Sequence, residues 1–439
     1  MLRVRSALFA AAAVVALPGC DTWMGESKTP LPGQRLSVLT LDRKLEPDPM
    51  LASLDVRLPR PIVNAEWPQP GGYPNHVMQH LALGDNPKRL WSVSAGDGSS
   101  RSGAVLAQPV VWNNRVFTMD ASSEVRAFDA TSGKRLWSVD ITPKGERGYT
   151  FGGGVAVADG RVFVTSGYAQ VLALDSETGK EIWRQPVSAP VRGAPTVADG
   201  RVFAVTVENE LDVLSADDGQ KLWTHNGTAE TAGLLGGMTP AVEGGVVVVP
   251  YSSGEIFALR VENGRPLWSD NLAAAGRFDA MSSLADIRGR PVIDRGRVYA
   301  ISHSGRMVSI NLRSGERIWE EDIGGTHTPW IAGDFIYVLS NDSELICLTR
   351  SDGRTRWVLG LPRYENLEKK RGALRWSGPV LAGDRLIVVA SNGDAMSVSP
   401  YTGKALGRIS LPDGAFVAPV ISERTLYVLT DDADLIAMR

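Results

Sequence analysis

Apolar residues recur at every second position along most of the chain, in short runs that end at turn-forming residues. The stretches VRAFDATSGKRLW and VLALDSETGKEIW are two examples. Alternation with a period of two is typical of half-buried strands. The pairs Asp-Gly at 159 and 199 and Gly-Gly at 244 supply the positive φ that tight hairpins need. The pattern predicts short antiparallel strands joined by hairpins, and no helix of useful length after residue 90.

A Trp that ends each of these stretches reveals a repeat with intervals of 38 to 51 residues. The repeated residues are Trp91, Trp137, Trp183, Trp223, Trp268, Trp319 and Trp357. From Trp137 onward a Gly stands four positions earlier, as Gly133, Gly179, Gly219, Gly264, Gly315 and Gly353. One more copy, PYTGKALG, keeps Gly403 and has Gly407 where Trp would stand. Such a period indicates repeated supersecondary units.

Each repeat also contains a second strand pair, as in VAVADGRVFVTS and PVIDRGRVYAIS, so one unit is a four-stranded antiparallel blade. The last copy stops at Arg439 without an outer strand, whereas the segment around Trp91 is an outer strand without partners. Joining the two completes eight blades and leaves no naked edge. We predict an all-β, eight-bladed β-propeller over residues 87–439, in which the repeated Trp side chains pack between adjacent blades.

Composition and charge exclude several classes of function. There are 46 Lys plus Arg against 49 Asp plus Glu, a formal charge of -3, without the basic excess that nucleic-acid binding requires. Five His and two Cys leave little for a metal cage or a disulfide framework. His76 and His80 have the spacing of a zinc-binding pair, but the Glu of an HExxH motif and a third ligand are missing, which favours a packing or solvated pair. We predict no catalytic, cofactor-binding or metal-binding residue.

The N-terminus is predicted to direct export. Arg3 and Arg5 precede an uncharged run that ends at Cys20, which is typical of a secretory signal peptide. The sequence LPGC resembles a lipobox, so we predict a lipoprotein signal peptide over residues 1–19, lipidation of Cys20 and a Pro-rich tether over residues 20–86. An ordinary signal peptide with a coincidental Cys is the alternative. Whether residues 60–86 dock on the propeller stays open. The predicted location is the periplasmic face of the outer membrane. Asp21 leaves retention at the inner membrane open as an alternative.

The segments AFDATSGKRLW (127–137) and ALDSETGKEIW (173–183) resemble the docking motif of quinoprotein-like propellers. Two families share that fold: dehydrogenases that bind pyrroloquinoline quinone and calcium, and the BamB lipoproteins of the outer-membrane β-barrel assembly (BAM) machinery. From about residue 60 to the C-terminus the layout is similar to BamB. The enzymes' pair of adjacent Cys is absent, and no set of calcium ligands can be assigned. The resemblance implies a non-catalytic scaffold. A quinone-dependent dehydrogenase and a periplasmic propeller with another partner are the alternatives.

Two loops resemble those by which the BamB family contacts the POTRA domains of BamA. The resemblance implies as partners these POTRA domains, other BAM components and unfolded barrel clients. In residues 227–240, Leu234 and Leu235 stand where the family has apolar residues and an Arg, which is missing here. In LADIRGRP, Asp286 keeps the first of two acidic residues and Arg288 replaces the second. The alternative is that the leucines are buried connectors and Asp286 is a loop cap.

Overall fold

The computed structural model describes residues 45–146, 150–230, 233–273 and 284–439. These residues form eight four-stranded antiparallel sheets, one two-stranded sheet and the 3-10 helix Pro49–Leu51. The predicted eight-bladed propeller is confirmed. The predicted signal peptide, Cys20 and Asp21 lie outside the described residues. Within the described part of the chain no helix has the length and apolar character needed to cross a membrane.

The blades are numbered in chain order from residue 110, and the strands of each are ordered from the central channel outward. The inner strands are Val110–Trp112, Gly153–Ala158, Thr196–Ala198, Ala241–Glu243, Val292–Asp294, Trp330–Ala332, Trp376–Ala382 and Val420–Ser422. The second strands are Arg115–Met119, Arg161–Ser166, Arg201–Val205, Val246–Pro250, Arg297–Ile301, Phe335–Leu339, Arg385–Ala390 and Thr425–Leu429. The third strands are Glu124–Asp129, Gln170–Asp175, Glu210–Ser215, Glu255–Arg260, Met307–Asn311, Glu344–Thr349, Asp394–Val398 and Asp434–Met438. The outer strands are Arg135–Asp140, Glu181–Pro186, Lys221–Asn226, Pro266–Asn271, Arg317–Glu321, Thr355–Gly360, Ala405–Ser410 and, for blade 8, Arg89–Ser94.

The ring closes as the sequence predicts. Arg89–Ser94 pairs antiparallel with Asp434–Met438 and places Trp91 opposite Ala437. Three strands of blade 8 therefore come from the C-terminal end and one from the N-terminal side, which removes the free edge that an open ring would expose. A separate hairpin, Tyr364–Asn366 with Arg371–Ala373, extends the connection between blades 6 and 7.

The repeated Trp and Gly residues meet across the boundaries between blades. Each of the seven Trp side chains donates its indole N–H to a backbone carbonyl of the next blade, over 2.7 to 3.2 Å. The Gly of that next blade lies against the same ring: a Cβ at Gly179 would stand 2.8 Å from the Trp137 ring, and one at Gly403 would stand 2.7 Å from the Trp357 ring. Gly is thus required because the indole fills the space that a side chain would need.

The missing eighth Trp has a structural reason. Gly407 lies in the outer strand of blade 7 and pairs with Ser397 of the third strand. It occupies the position that Trp357 holds in blade 6. The next blade is blade 8, whose third and outer strands come from distant parts of the sequence and are not joined by a hairpin. No hairpin Gly is therefore available there to receive an indole ring.

We expect Gly407→Trp to leave the free energy of unfolding within about 0.5 kcal/mol of the parent, because the strand is exposed and nothing lies within 4 Å of a Cβ at this position. Gly403→Ala, four residues earlier, is expected to cost about 1 kcal/mol or more, since its φ is +69° and Trp357 blocks the Cβ. Urea unfolding midpoints of the two variants compare the sites. A clear stabilisation by Gly407→Trp would contradict this account.

The two ends of the channel differ. Antiparallel alternation puts the hairpins between the first and second strands, and between the third and outer strands, on one face of the ring, which we call the turn face. The segments that join consecutive blades lie on the opposite face, which we call the connector face. The described chain enters on the turn face, where the Asp48 amide donates to the Thr355 carbonyl over 2.8 Å.

Residues 64–81, which we call the belt, run around the inside of the channel next to the turn face. They hydrogen-bond with the inner strand or first hairpin of every blade, in ring order. The bonded pairs, from blade 8 through blades 1 to 7, are Asn64 with Ile421 and Glu423, Trp67 with Val111, Pro68 with Val157, Gln69 with Val197, Pro74 with Val242, Asn75 with Ile293, Gln79 with Trp330, and Leu81 with Leu381 and Gly383.

The belt is also buried, with Trp67, Met78 and Leu81 exposing 1%, 4% and 0% of their surface. Residues 45–86 were assigned to the tether from sequence. In the structure they belong to the same compact unit as the blades, Leu45–Arg439. The Pro-rich composition suits this path, because a chain that crosses eight strand ends in turn cannot adopt a regular helix or strand.

Candidate partner interface and central channel

The two loops singled out from sequence meet on the connector face. Residues 233–240 follow blade 3, and residues 284–291 follow blade 4. The backbone N–H of Leu234 donates to the Asp286 carboxylate over 2.8 Å. The backbone carbonyl of Asp286 accepts from the His303 amide over 2.9 Å, which ties the second loop to blade 5. One carboxylate thus sets the relative position of both loops.

Asp286 itself is buried, with 4% of its surface exposed. Burial raises the pKa of its carboxyl, and the hydrogen bond from Leu234 opposes that rise. A buried carboxylate that accepts a backbone N–H acts as a loop cap, which is the alternative stated from the sequence. Its structural role is to hold the Leu234 backbone in place.

Leu235 is the most exposed of the four predicted contact residues, with 47% of its surface free, and Leu234 is half-buried. The chain beyond Leu235 is held tightly. Gly236 has a φ of +94°, and a Cβ at Gly237 would lie 1.8 Å from the Cα of Gly193 in the neighbouring connector. The backbones of two connectors therefore touch, and this contact fixes the loop that presents Leu235 to solvent.

Arg288 lines the central channel. Its guanidinium carbon lies 4.7 Å from the centroid of the Phe416 ring, and that of Arg375 lies 5.9 Å from the same ring. Burial lowers the pKa of Arg288 to about 10, and Asp286 opposes the change. Cation–π packing on Phe416 thus replaces part of the lost hydration. The structure brings Leu234, Asp286 and Arg288 together. Asp286 is buried between the two loops, whereas Arg288 lines the channel.

Sequence reasoning missed Phe416, Arg375 and Arg290, which meet Arg288 at the channel. Phe416 comes from the connector between blades 7 and 8, and Arg375 from the one between blades 6 and 7. The alternation of Arg288 and Arg290 in IRGRP was a usable signal, because residues two apart in an extended segment share a side. Nothing in the sequence pairs either Arg with Phe416.

Of the two roles predicted for His76 and His80, packing or solvated, their contacts and burial match packing. His76 Nδ1 bonds to the Pro291 carbonyl over 2.7 Å, and His80 Nδ1 to the Pro59 carbonyl over 2.8 Å. His80 Nε2 accepts from the Asp384 amide over 3.1 Å. The two rings thus serve different blades, and the described residues contain no group of three or more His, Cys, Asp or Glu placed to hold a metal ion.

The architecture defines a class. Similar solved structures include BamB from Moraxella catarrhalis, with a TM-score of 0.70 and 17% identity over 81% of this chain and 100% of that one. They also include a europium-containing methanol dehydrogenase, with a TM-score of 0.65 and 15% identity over 83% of this chain and 89% of that one. At these identities the likeness establishes the fold, an eight-bladed propeller that assembly factors and quinoprotein dehydrogenases share.

The particular family follows from the sequence match. Residues 121–359 match the family model described as outer membrane protein assembly factor BamB, and the chain belongs to this family. The BamB protein of Alkalilimnicola ehrlichii is 30% identical over 209 residues, 47% of this chain and 52% of that protein. The one from Escherichia coli K12 is 27% identical over 200 residues, 45% and 49% of the two chains. The matched region spans about half the length of these relatives.

The channel does not fit the cofactor of the dehydrogenase relatives. The belt occupies its turn-face end and leaves a cavity of about 90 Å³ above it. The sequence has two Cys, of which Cys347 is free and buried. The two Cys of the sequence therefore do not form the adjacent pair expected for a quinone site.

Proposed function

We propose that this chain is a non-catalytic scaffold lipoprotein of the outer-membrane β-barrel assembly complex. In this role it promotes the insertion of barrel proteins through contact with the POTRA domains of BamA. The observation that supports this most directly is the pair of joined loops on the connector face, with Leu235 exposed on a rigid support. A rigid apolar anchor of this kind is what a specific interface uses.

The placement of the chain's ends fits such a scaffold. The described chain enters on the turn face, whereas the candidate contact loops lie on the connector face. A lipid on Cys20 would keep the propeller near the membrane. Tethering then raises the local concentration of the propeller around that partner. The same arrangement would serve a different periplasmic partner, so co-purification is the decisive measurement.

We expect Leu235→Asp to reduce the amount of BamA that co-purifies with the chain by about tenfold or more, because a hot-spot substitution in an interface typically costs about 2 kcal/mol. Ile182→Asp is the matched control. Ile182 has the same exposed fraction, 47%, but lies in the outer strand of blade 2. Both variants should keep the thermal midpoint of the parent to within about a degree, since both side chains are largely in solvent.

Equal recovery of BamA with both variants would remove the residues 233–240 loop from the interface. Absence of the chain from the barrel-assembly complex of its own organism would instead refute the proposed function. Asp286→Lys is a poor test, because its buried carboxylate caps the Leu234 amide and the substitution would disturb the loop itself.

The dehydrogenase alternative predicts a different measurement. A chain that bound the quinone would show the cofactor's absorbance band and calcium-dependent oxidation of alcohols. The proposed scaffold predicts a colourless preparation without that activity after incubation with quinone and calcium.

A further inference from the structure

The closed end of the central channel is a small cavity of about 90 Å³ between the belt and the connectors. Trp67, Gly71 and His76 of the belt line it on the turn-face side. Arg288 and Arg290 line it from the connector after blade 4, and His327 from the connector after blade 5. Residues from distant parts of the sequence thus converge on one partly open space inside the channel.

The lining is positively charged. It includes two arginines, and none of the described residues that line it is Asp or Glu. Burial lowers the pKa of both guanidinium groups to about 10, and Arg288 contributes to the shift of Arg290, yet both stay protonated at neutral pH. The two histidines stay neutral, because burial and the arginines lower their pKa to about 3. Two positive charges therefore face a space without a negative charge in its described lining.

Arg290 is the less satisfied of the two arginines. Asp286 contributes an opposite charge to Arg288, whereas the Arg290 guanidinium donates to Thr328 Oγ1 over a long 3.4 Å and has no acid among the described charges that shift its pKa. Among the described residues, the buried Nε of Arg290 and Nε2 of His76 have no hydrogen-bond partner. A half-buried guanidinium with a buried, unpartnered Nε and no counter-charge is unfavourable and favours the binding of an anion.

A route connects this space to the connector face. An adjoining cavity of about 280 Å³ shares Arg288, His327 and Phe416 with it and extends to Asn341 and Arg375. Asn341 and Arg375 are exposed. An anion that enters on this side would therefore meet Arg375 first and Arg288 and Arg290 next.

We propose that the closed end of the central channel binds a small oxyanion between the guanidinium groups of Arg288 and Arg290. A guanidinium presents N–H donors in a planar fork that matches the oxygens of phosphate or carboxylate. The volume suits an ion of a few heavy atoms. Phosphate and carboxylate share this chemistry, and separate probes distinguish them.

The test measures the thermal midpoint of the chain in inorganic phosphate or in acetate, against chloride at the same ionic strength. At a concentration 100-fold above Kd, the bound anion should raise the midpoint by about 3 °C. A shift with phosphate assigns a phosphate site, and a shift with acetate alone assigns a carboxylate site. No shift beyond chloride with either probe would overturn the proposal.

Arg290→Met separates binding from general salt effects. This variant should lose the anion-dependent shift and, in chloride, be at least as stable as the parent, because an uncompensated buried charge is gone. Arg313→Met, which changes an exposed arginine, should keep the full shift. An equal shift in Arg290→Met and the parent would place the anion elsewhere.

Equilibrium dialysis of labelled phosphate or acetate with the parent gives an independent measure. One bound ion per chain is expected, and no bound ion would contradict the site.

Discussion

Lowering the pH from about 6.5 to about 4.5 is expected to reduce the free energy of unfolding by about 5 kcal/mol through His76 and His327 alone. Burial is the main cause that lowers the pKa of each imidazole to about 3 in the folded protein. Arg290 contributes to the shift of His76, and Arg288 and Arg290 to that of His327. The backbone carbonyls of Pro291 and Trp376 accept hydrogen bonds from the two rings and only partly oppose the shift.

The sign of the effect follows from which state binds the proton. Above the unfolded pKa of about 6.5, both states hold neutral histidines, and the stability is fully present. Below about pH 6.5, the two histidines bind protons in the unfolded chain but stay neutral in the folded chain. Stability therefore falls by up to about 1.4 kcal/mol per pH unit for each histidine, and the loss is complete only near the folded pKa.

Urea unfolding midpoints at several pH values between about 4.5 and 7.5 measure this slope. Buried or half-buried acids, namely Asp212, Asp286, Glu321 and Asp431, have raised pKa values and change stability in the opposite direction. The diagnostic quantity is hence the difference between the parent and the variant carrying His76→Gln and His327→Gln, which should have a much flatter slope. His225→Gln is the control, because His225 is half-buried and Glu255 opposes its smaller shift. An unchanged slope in the double variant would refute the assignment.

The blades could be predicted from the sequence because their determinants are local. A period of two, a hairpin pair with positive φ such as Asp159-Gly160, and a Trp at a fixed distance from a Gly recur in most units. Closure of the ring was predictable too, since one outer strand was missing at one end and one was unpaired at the other. The partner of each Trp was not predictable in detail, because the indole contacts the Gly of the next blade.

The candidate site was predictable only in part. The two loops could be located, but a single hydrogen bond between Leu234 and Asp286 joins them across 52 residues and buries the acid. Sequence alone assigned Asp286 to the partner surface, because it does not report burial. The docking of the belt stayed open from the sequence for a related reason. Its bonds, such as that between Gln69 and Val197, join residues 128 apart and leave no periodic pattern.

Replacing Trp67 by Ala is expected to lower the free energy of unfolding by about 3 to 5 kcal/mol. The side chain exposes 1% of its surface, and its ring centroid lies 6.2 Å from that of Trp330. Its backbone N–H and carbonyl both bond with Val111, at 2.8 and 2.9 Å. Because the belt pairs with the blades only through isolated β-bridges, such as that between Trp67 and Val111, the indole is a main anchor, and its loss should release neighbouring contacts.

Hydrogen exchange tests this mechanism directly. The amides of Val157 and Val242 donate to Pro68 and Pro74 of the belt, so both should exchange faster in Trp67→Ala if the belt detaches. Trp67→Phe is the matched variant. It keeps an aromatic ring and removes an indole N–H that has no hydrogen-bond partner among the described residues, so it should lose less than half as much stability. A large loss in Trp67→Ala with unchanged exchange at Val157 and Val242 would mean that the indole stabilises blade 1 alone. In that case the belt would remain in place through its backbone hydrogen bonds, and the closed end of the channel would not depend on Trp67.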